Sequence, residues 1–370
     1  MNIGIITFHA AHNYGSMLQA YAMQTFLERQ GHHVEIVNFR PLSQKKGYPK
    51  PIDFTTMATM KQSIKRICIA PQTIKPLNER WTLFENFLNE KLNTTKEFTT
   101  LAELKKVSFN FDAIITGSDQ IWNTNAFDFS EAYFATFASK GTCKIAYAPS
   151  MGPNPENQNS EYLKILLGSY KAISVREERT KEFLENNHIV DHVKVVLDPT
   201  MLLDVSDYES IAGKEPIIEG EYIYYYTPGS VRHEFLDEAV LMGKAMGLPV
   251  VFDNTYYPYQ VRNSKNLIPH VNTGPSEFLN LIKNATMVCG ASFHLMAFSI
   301  LFKKNFYCMN GDVDSRMNNL MKMLNLEDRI WSIIHHKSFN FSKIDSYDQT
   351  YDILKGKRKD SVDFINGALN

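Results

Sequence analysis

Apolar and polar positions fall in blocks along this 370-residue chain. Short apolar runs are followed by loops rich in Gly, Asn, Ser or His, and then by apolar residues at helical spacing. Ile3–Phe8 (IGIITF) reads as a buried strand. In Ser16–Gln30, Leu18, Tyr21, Ala22, Phe26 and Leu27 share one helix face. Ser16 is the expected N-cap and Gly31 the expected stop, and Val34–Phe39 is the next strand. Strand, loop, helix and strand in this order open a doubly wound α/β domain.

The alternation continues with strands at Asp112–Thr116, Lys144–Ala148, Ala172–Val175 and Val193–Leu197, and a helix at Glu177–Asn187. Gly213–Gly220 (GKEPIIEG) reads as a linker. After it come strand Tyr222–Tyr226, helix Ser230–Met246, strand Pro249–Phe252 and helix Ser276–Lys283. Strand Thr286–Cys289, helix Ser292–Phe302 and strand Phe306–Met309 close the series. The expected architecture is α/β, with two Rossmann-like domains facing each other across a cleft. The expected domains are residues 1–212, on the acceptor side, and 213–370, on the donor side, with a C-terminal helix packing back on the first.

Composition narrows the function. There are 39 Lys and Arg against 40 Asp and Glu, which argues against a dedicated nucleic-acid binder. The 24 Phe, 18 Tyr and 3 Trp supply a core and material for lining a sugar pocket. Cys68, Cys143, Cys289 and Cys308 form no C-x-x-C pair, so neither a zinc ribbon nor a disulfide framework is expected. The start, MNIGIITFHAAHNYG, has no basic n-region, and the uncharged apolar stretch 284–302 is interrupted by polar residues. A cytoplasmic protein is the expectation.

Residues 41–80 stand apart. They carry eight Lys and Arg against two acids, a local charge of +6. Met57, Met60, Ile64 and Ile67 recur at helical spacing beside Lys61, Lys65 and Arg66. This reads either as an ordinary solvated surface helix or as a basic amphipathic helix touching an anionic membrane surface or a pyrophosphate-linked acceptor.

Ligands of open α/β sheets bind outside the carboxyl ends of the strands. Four polar stretches sit at such ends. After the first strand come Asn13, Tyr14, Gly15, Ser16 and Gln19, where Gly15 permits close backbone approach and a helix start suits an anion. After Thr116 come Ser118, Asp119, Gln120 and Trp122, polar groups beside an indole, as a sugar site requires. Arg176 leaves a strand with a guanidinium suited to a carboxylate or phosphate. Ser292, Phe293 and His294 open an apolar helix, and His294 suits anion contact or proton transfer. Dinucleotide, P-loop, zincin and nucleophile-elbow motifs are missing, and Asp312-Val313-Asp314 is a pattern expected by chance. The pairs His32-His33 and His335-His336 are too divergent in direction to clamp a metal alone. No metal is expected.

Taken together, N-Y-G-S-x-L-Q-A-Y-A, I-T-G-S-D-Q-I-W-N, S-V-R-E, L-D-P-T-x-L-L (Leu197–Leu203) and S-F-H-x-x-x-F-S (Ser292–Ser299) resemble the polysaccharide pyruvyl transferases, in order, over residues 2–310. The resemblance implies a GT-B-like fold and transfer of the pyruvyl group of phosphoenolpyruvate, with no further cofactor. The implied acceptor is a hexose diol, such as galactose with free 4- and 6-hydroxyls. The product would be a cyclic ketal of a capsular or exopolysaccharide unit, assembled on a lipid-linked oligosaccharide at the inner membrane face. Arg176 and His294 are the implied donor-site residues, with Asp119 and His294 as proton carriers. Two positions depart from the family: Ala291 stands where members carry an acid, and Leu295 where they carry Gly. His294 is therefore expected to lack an orienting carboxylate. The alternatives are a nucleotide-sugar glycosyltransferase of the same shape and a non-catalytic carbohydrate-binding protein.

Overall fold

A computed structural model describes residues 1–228, 233–253, 266–332 and 342–370. The first part of helix Ser230–Met246 and the pair His335-His336 lie outside the described residues. Among the described residues, twelve strands form two six-stranded sheets in which every strand pair is parallel. The first holds β1 (Asn2–Ile6), β2 (His33–Ile36), β3 (Ala113–Thr116), β4 (Cys143–Ala146), β5 (Ala172–Val175) and β6 (Lys194–Val195), in the order β2-β1-β3-β4-β5-β6. The second holds β7 (Ile223–Tyr226), β8 (Val250–Phe252), β9 (Leu267–Pro269), β10 (Met287–Gly290), β11 (Asn305–Met309) and β12 (Ile330–Trp331), in the order β12-β11-β10-β7-β8-β9. All four residues of β3, β7 and β10 are buried, which is why their sequences are continuously apolar rather than alternating.

The strand order reverses between β1 and β3 in one sheet and between β7 and β10 in the other. Crevices open at such switch points, so the loops that follow these four strands are the ones placed to hold a ligand. The helices that matter for the site are α1 (Tyr14–Arg29), α2 (Leu42–Gly47), α3 (Met57–Ile69), α4 (Ile74–Lys91), α5 (Pro275–Asn284), α6 (Phe293–Leu301) and α7 (Asp348–Leu369).

The two sheets share one hydrophobic core. A single cluster contains Ile3, Tyr14 and Leu18 from the first half, Tyr226, Phe278 and Phe298 from the second, and Leu354 and Ile365 from α7. Arg358 of α7 donates to the carbonyls of Met201 and Leu203, and Ser361 accepts from the Leu197 amide. The C-terminal helix thus returns to the first half. Among the described residues no helix is long and apolar enough to cross a membrane.

Candidate active site between the two sheets

Asn13, not Ser16, caps α1. Its side chain accepts from the amides of Gly15 at 3.0 Å and Ser16 at 3.3 Å, so two N–H groups expected to serve an anion are already occupied. Ser16 Oγ instead donates to Asp119 Oδ2 at 2.5 Å, bringing the loops after β1 and β3 together. Gln19 is fully buried and acts as a strut, donating to Thr7 Oγ1 and accepting from the Ser118 amide. Tyr14 crosses to the second half. Its ring stacks on Phe278 at 4.4 Å and its hydroxyl donates to Asp253 Oδ2 at 2.7 Å.

Gly15 has a steric role. A Cβ built there would lie 1.9 Å from His294 Nδ1. The absent side chain lets the imidazole of the second half press against α1, so the backbone approach expected at Gly15 is made by His294.

His294 and Arg176 converge on one carboxylate. Arg176, at the end of β5, donates from Nη1 to Asp198 Oδ2 at 3.0 Å and from Nε to Glu177 Oε1 at 2.7 Å. His294 Nε2 lies 3.5 Å from the same Asp198 oxygen, an ion-pair distance rather than a hydrogen bond. Ser118 Oγ also donates to that oxygen, and the Thr200 amide and hydroxyl bind the other one. All three charged or ionisable groups are buried: Asp198 is 1% exposed, Arg176 3% and His294 7%. Burial pushes Asp198 towards the neutral acid, but His294, Arg176 and the Thr200 amide outweigh it and hold the carboxyl well below its ordinary range. Phe293 covers the guanidinium face at 4.2 Å, and Ser292 caps α6 through the Leu295 amide.

Two further expectations change. His294 does not lack a carboxylate: Asp198, from the other half, stands opposite its Nε2. Trp122 is no sugar platform, because it is fully buried and stacked on Phe134 at 5.3 Å. An indole next to polar loop residues can turn inward whenever the strand end it follows is itself in the core. Asp119 and Gln120 are half-buried.

Asp198 stands in the L-D-P-T-x-L-L stretch with no role assigned to it there, and Asp253 lies in no motif, although both follow strand ends as the other candidates do. Asp198 follows β6 and Asp253 follows β8. Arg80, singled out by no motif, is buried on α4 and donates to Asp253 at 2.8 Å and to the Tyr14 hydroxyl. Its charge is held by Asp253 against the cost of burial. Among the described residues no three His, Cys, Asp or Glu side chains converge as a metal site.

Two parallel six-stranded sheets, each with a switch point and flanking helices, define a GT-B-like fold. An alpha-glucosyltransferase solved with UDP and a 13-mer DNA shares this fold, with 11% identity over 99% of this chain and 95% of that one, and a TM-score of 0.51. Also similar are UDP-GlcNAc 2-epimerase from Methanocaldococcus jannaschii (14% identity, 96% and 99% coverage, TM-score 0.49) and E. coli heptosyltransferase WaaC with ADP (9%, 84% and 87%, 0.41). No curated protein sequence matches the chain. The family model of polysaccharide pyruvyl transferase matches residues 13–313, and the chain belongs to that family.

Proposed function

We propose that this transferase moves the pyruvyl group of phosphoenolpyruvate onto two hydroxyls of a hexose, galactose at O4 and O6 being the leading acceptor. The observation that carries the reading is the convergence of Arg176 and His294, one from each half, on Asp198. Phosphoenolpyruvate places a carboxylate and a phosphate on one carbon. Recognition of both requires fixed cationic donors in a dry cleft. Arg176 is fixed by its two carboxylates through Nε and Nη1, so Nη2 is the nitrogen that would meet the donor. The group is buried, and entry of the donor would require the two halves to part.

In the proposed reaction a proton goes to the methylene carbon of the donor, leaving an oxocarbenium-like centre at C2. One sugar hydroxyl attacks that carbon and gives up its proton. The second hydroxyl attacks the same carbon as the C–O bond to phosphate breaks, and its proton leaves with inorganic phosphate. His294 and Asp119 are the proposed proton carriers, with Asp198 orienting the imidazole. Incubation with phosphoenolpyruvate and a panel of hexosides tests the reading. Phosphate release matched by the mass gain of a ketal supports it, and hydrolysis or silence with every hexoside overturns it.

We also propose that the acceptor is lipid-linked and is met at the cytoplasmic face of the inner membrane. Supporting this, α3 turns its apolar residues outward. Met57, Ile64, Ile67 and Ile69 are 67, 49, 42 and 56% exposed, and Phe54 just before them is 57% exposed. An apolar edge flanked by Lys61, Lys65 and Arg66 suits an anionic bilayer surface.

A further inference from the structure

A cavity of about 190 Å³ lies between the loop after β1 and the basic segment that follows β2. His12, Tyr48, Arg66, Arg80 and Trp81 are among its walls. Its size is roughly six times the ≈30 Å³ share of a liquid water, room for one sugar ring. His12 is centrally placed, 5.9 Å from the Trp81 ring and 6.2 Å from that of Tyr48, centre to centre. It is fixed from behind. Its Nε2 meets Glu85 Oε1 at 2.8 Å, Glu85 is further bound by both terminal nitrogens of Arg40, and Phe84 stacks on the imidazole at 4.9 Å. Tyr48 and Trp81 are half-buried, so each keeps part of its ring accessible.

The cations here are already engaged. Arg66 donates to the Pro51 carbonyl at 2.6 Å, and Arg80 is paired with Asp253. Aromatic walls carrying a few polar groups suit a neutral polyol, whose ring offers an apolar face and hydrogen-bonding hydroxyls. It is also well placed. His12 precedes by three residues the glycine against which His294 packs, and Arg66 belongs to α3.

From this geometry we infer that the cavity between His12, Tyr48 and Trp81 is the acceptor-sugar subsite. The apolar face of a pyranose lies on Trp81, and its hydroxyls meet His12, Tyr48 and Arg66. Lys50, whose Nζ is 5.1 Å above the indole, is the flexible group that a bound ring displaces. The inference rests on the pyruvyl-transfer reading only in naming the sugar as the acceptor, since binding can be measured without donor.

Methyl β-D-galactopyranoside and a panel of other methyl hexosides are the probes, with the full chain and no phosphoenolpyruvate. Saturation-transfer NMR should show binding to the wild type. Trp81→Ala should weaken it at least tenfold, and Arg66→Ala, on an exposed helix whose folding it spares, severalfold. With donor present, Trp81→Ala should raise the acceptor KM by a similar factor and leave the phosphoenolpyruvate KM unchanged. Sugar binding that is lost in Trp81→Ala while no hexoside yields a ketal supports the subsite and overturns the reaction. Unaltered sugar affinity in folded Trp81→Ala and Arg66→Ala, or a wild type that binds none of the panel, overturns the subsite.

Discussion

At His294 a single side chain touches the fate of both halves, since Gly15 leaves it room on one side and Asp198 faces it on the other. Gly15→Ala forces a methyl into the imidazole and should cost about 1–3 kcal/mol of stability, the usual price of overpacking a tight contact. Turnover should fall more steeply than stability, because the imidazole is displaced; thermal melts beside phosphate-release rates would separate the two. Arg176→Ala strands two buried carboxylates and threatens the fold, with losses of about 3–5 kcal/mol. Arg176→Lys is the sharper variant. It keeps the charge but loses the planar fork, so the apparent KM for phosphoenolpyruvate should rise at least tenfold in protein that still melts cooperatively. An unchanged donor KM would remove Arg176 from the donor site. Asp128 offers a pH test. Burial raises its carboxyl to about 6, and the nearby Asp119 charge adds to the rise. A raised acid stabilises the fold only while protonated, and that contribution is lost as pH climbs through about 6. Asp128→Asn should therefore gain about 1–2 kcal/mol in denaturant titrations at pH 8 and nothing near pH 4. A constant difference across that range would contradict the shift. At this scale the sequence revealed which side chains crowd strand ends, but not which of them face inward. Arg176 and His294 are polar groups that an apolar setting makes conspicuous. Trp122 misleads because an indole suits a core as well as a sugar, and Asn13 takes the cap from Ser16 because a capping loop can begin a turn early.

Elements were more legible than residues. Buried parallel strands are continuous apolar runs, so β3, β5, β7, β10 and β11 lie where hydrophobicity places them, within a residue or two of the expected ends. Helix α3 was visible for another reason. Its apolar residues recur at helical spacing, yet periodicity says only that a face exists and not what covers it. Within α3 only Ser63 is buried. If that face meets an anionic bilayer, the protein should co-sediment with phosphatidylcholine vesicles containing phosphatidylglycerol and much less with phosphatidylcholine alone. Salt near 1 M, where the Debye length is about 3 Å, should release it. Ile64→Ser with Ile67→Ser should weaken binding about tenfold or more while leaving the fold within about 0.5 kcal/mol of wild type, since both side chains are solvent-exposed. Equal sedimentation with both lipid mixtures would leave the face without its proposed partner.

The molecule as a whole is held shut by charge as well as by its shared core. Arg80 lies on α4 in the first half, whereas Asp253 ends β8 in the second, and Tyr14 joins them through its hydroxyl. This cluster was illegible in the sequence because its members lie 66 and 173 residues apart, and no local pattern relates such distant positions. A buried pair of this kind costs desolvation to form, so its net worth is small, but removal of one partner leaves the other uncompensated. Arg80→Ala alone and Asp253→Asn alone should each destabilise the protein, by about 3–5 kcal/mol for the arginine. The double variant should cost clearly less than the sum, giving a coupling of at least about 1 kcal/mol in a denaturant double-mutant cycle. The same pair spans the faces that would have to separate for the proposed donor to reach Arg176. Asp253→Asn, which keeps the size of the side chain and removes its charge, should therefore loosen closure, quicken donor exchange and slow turnover. Additive stabilities, or donor kinetics untouched by Asp253→Asn, would mean that the shared apolar core alone holds the halves together.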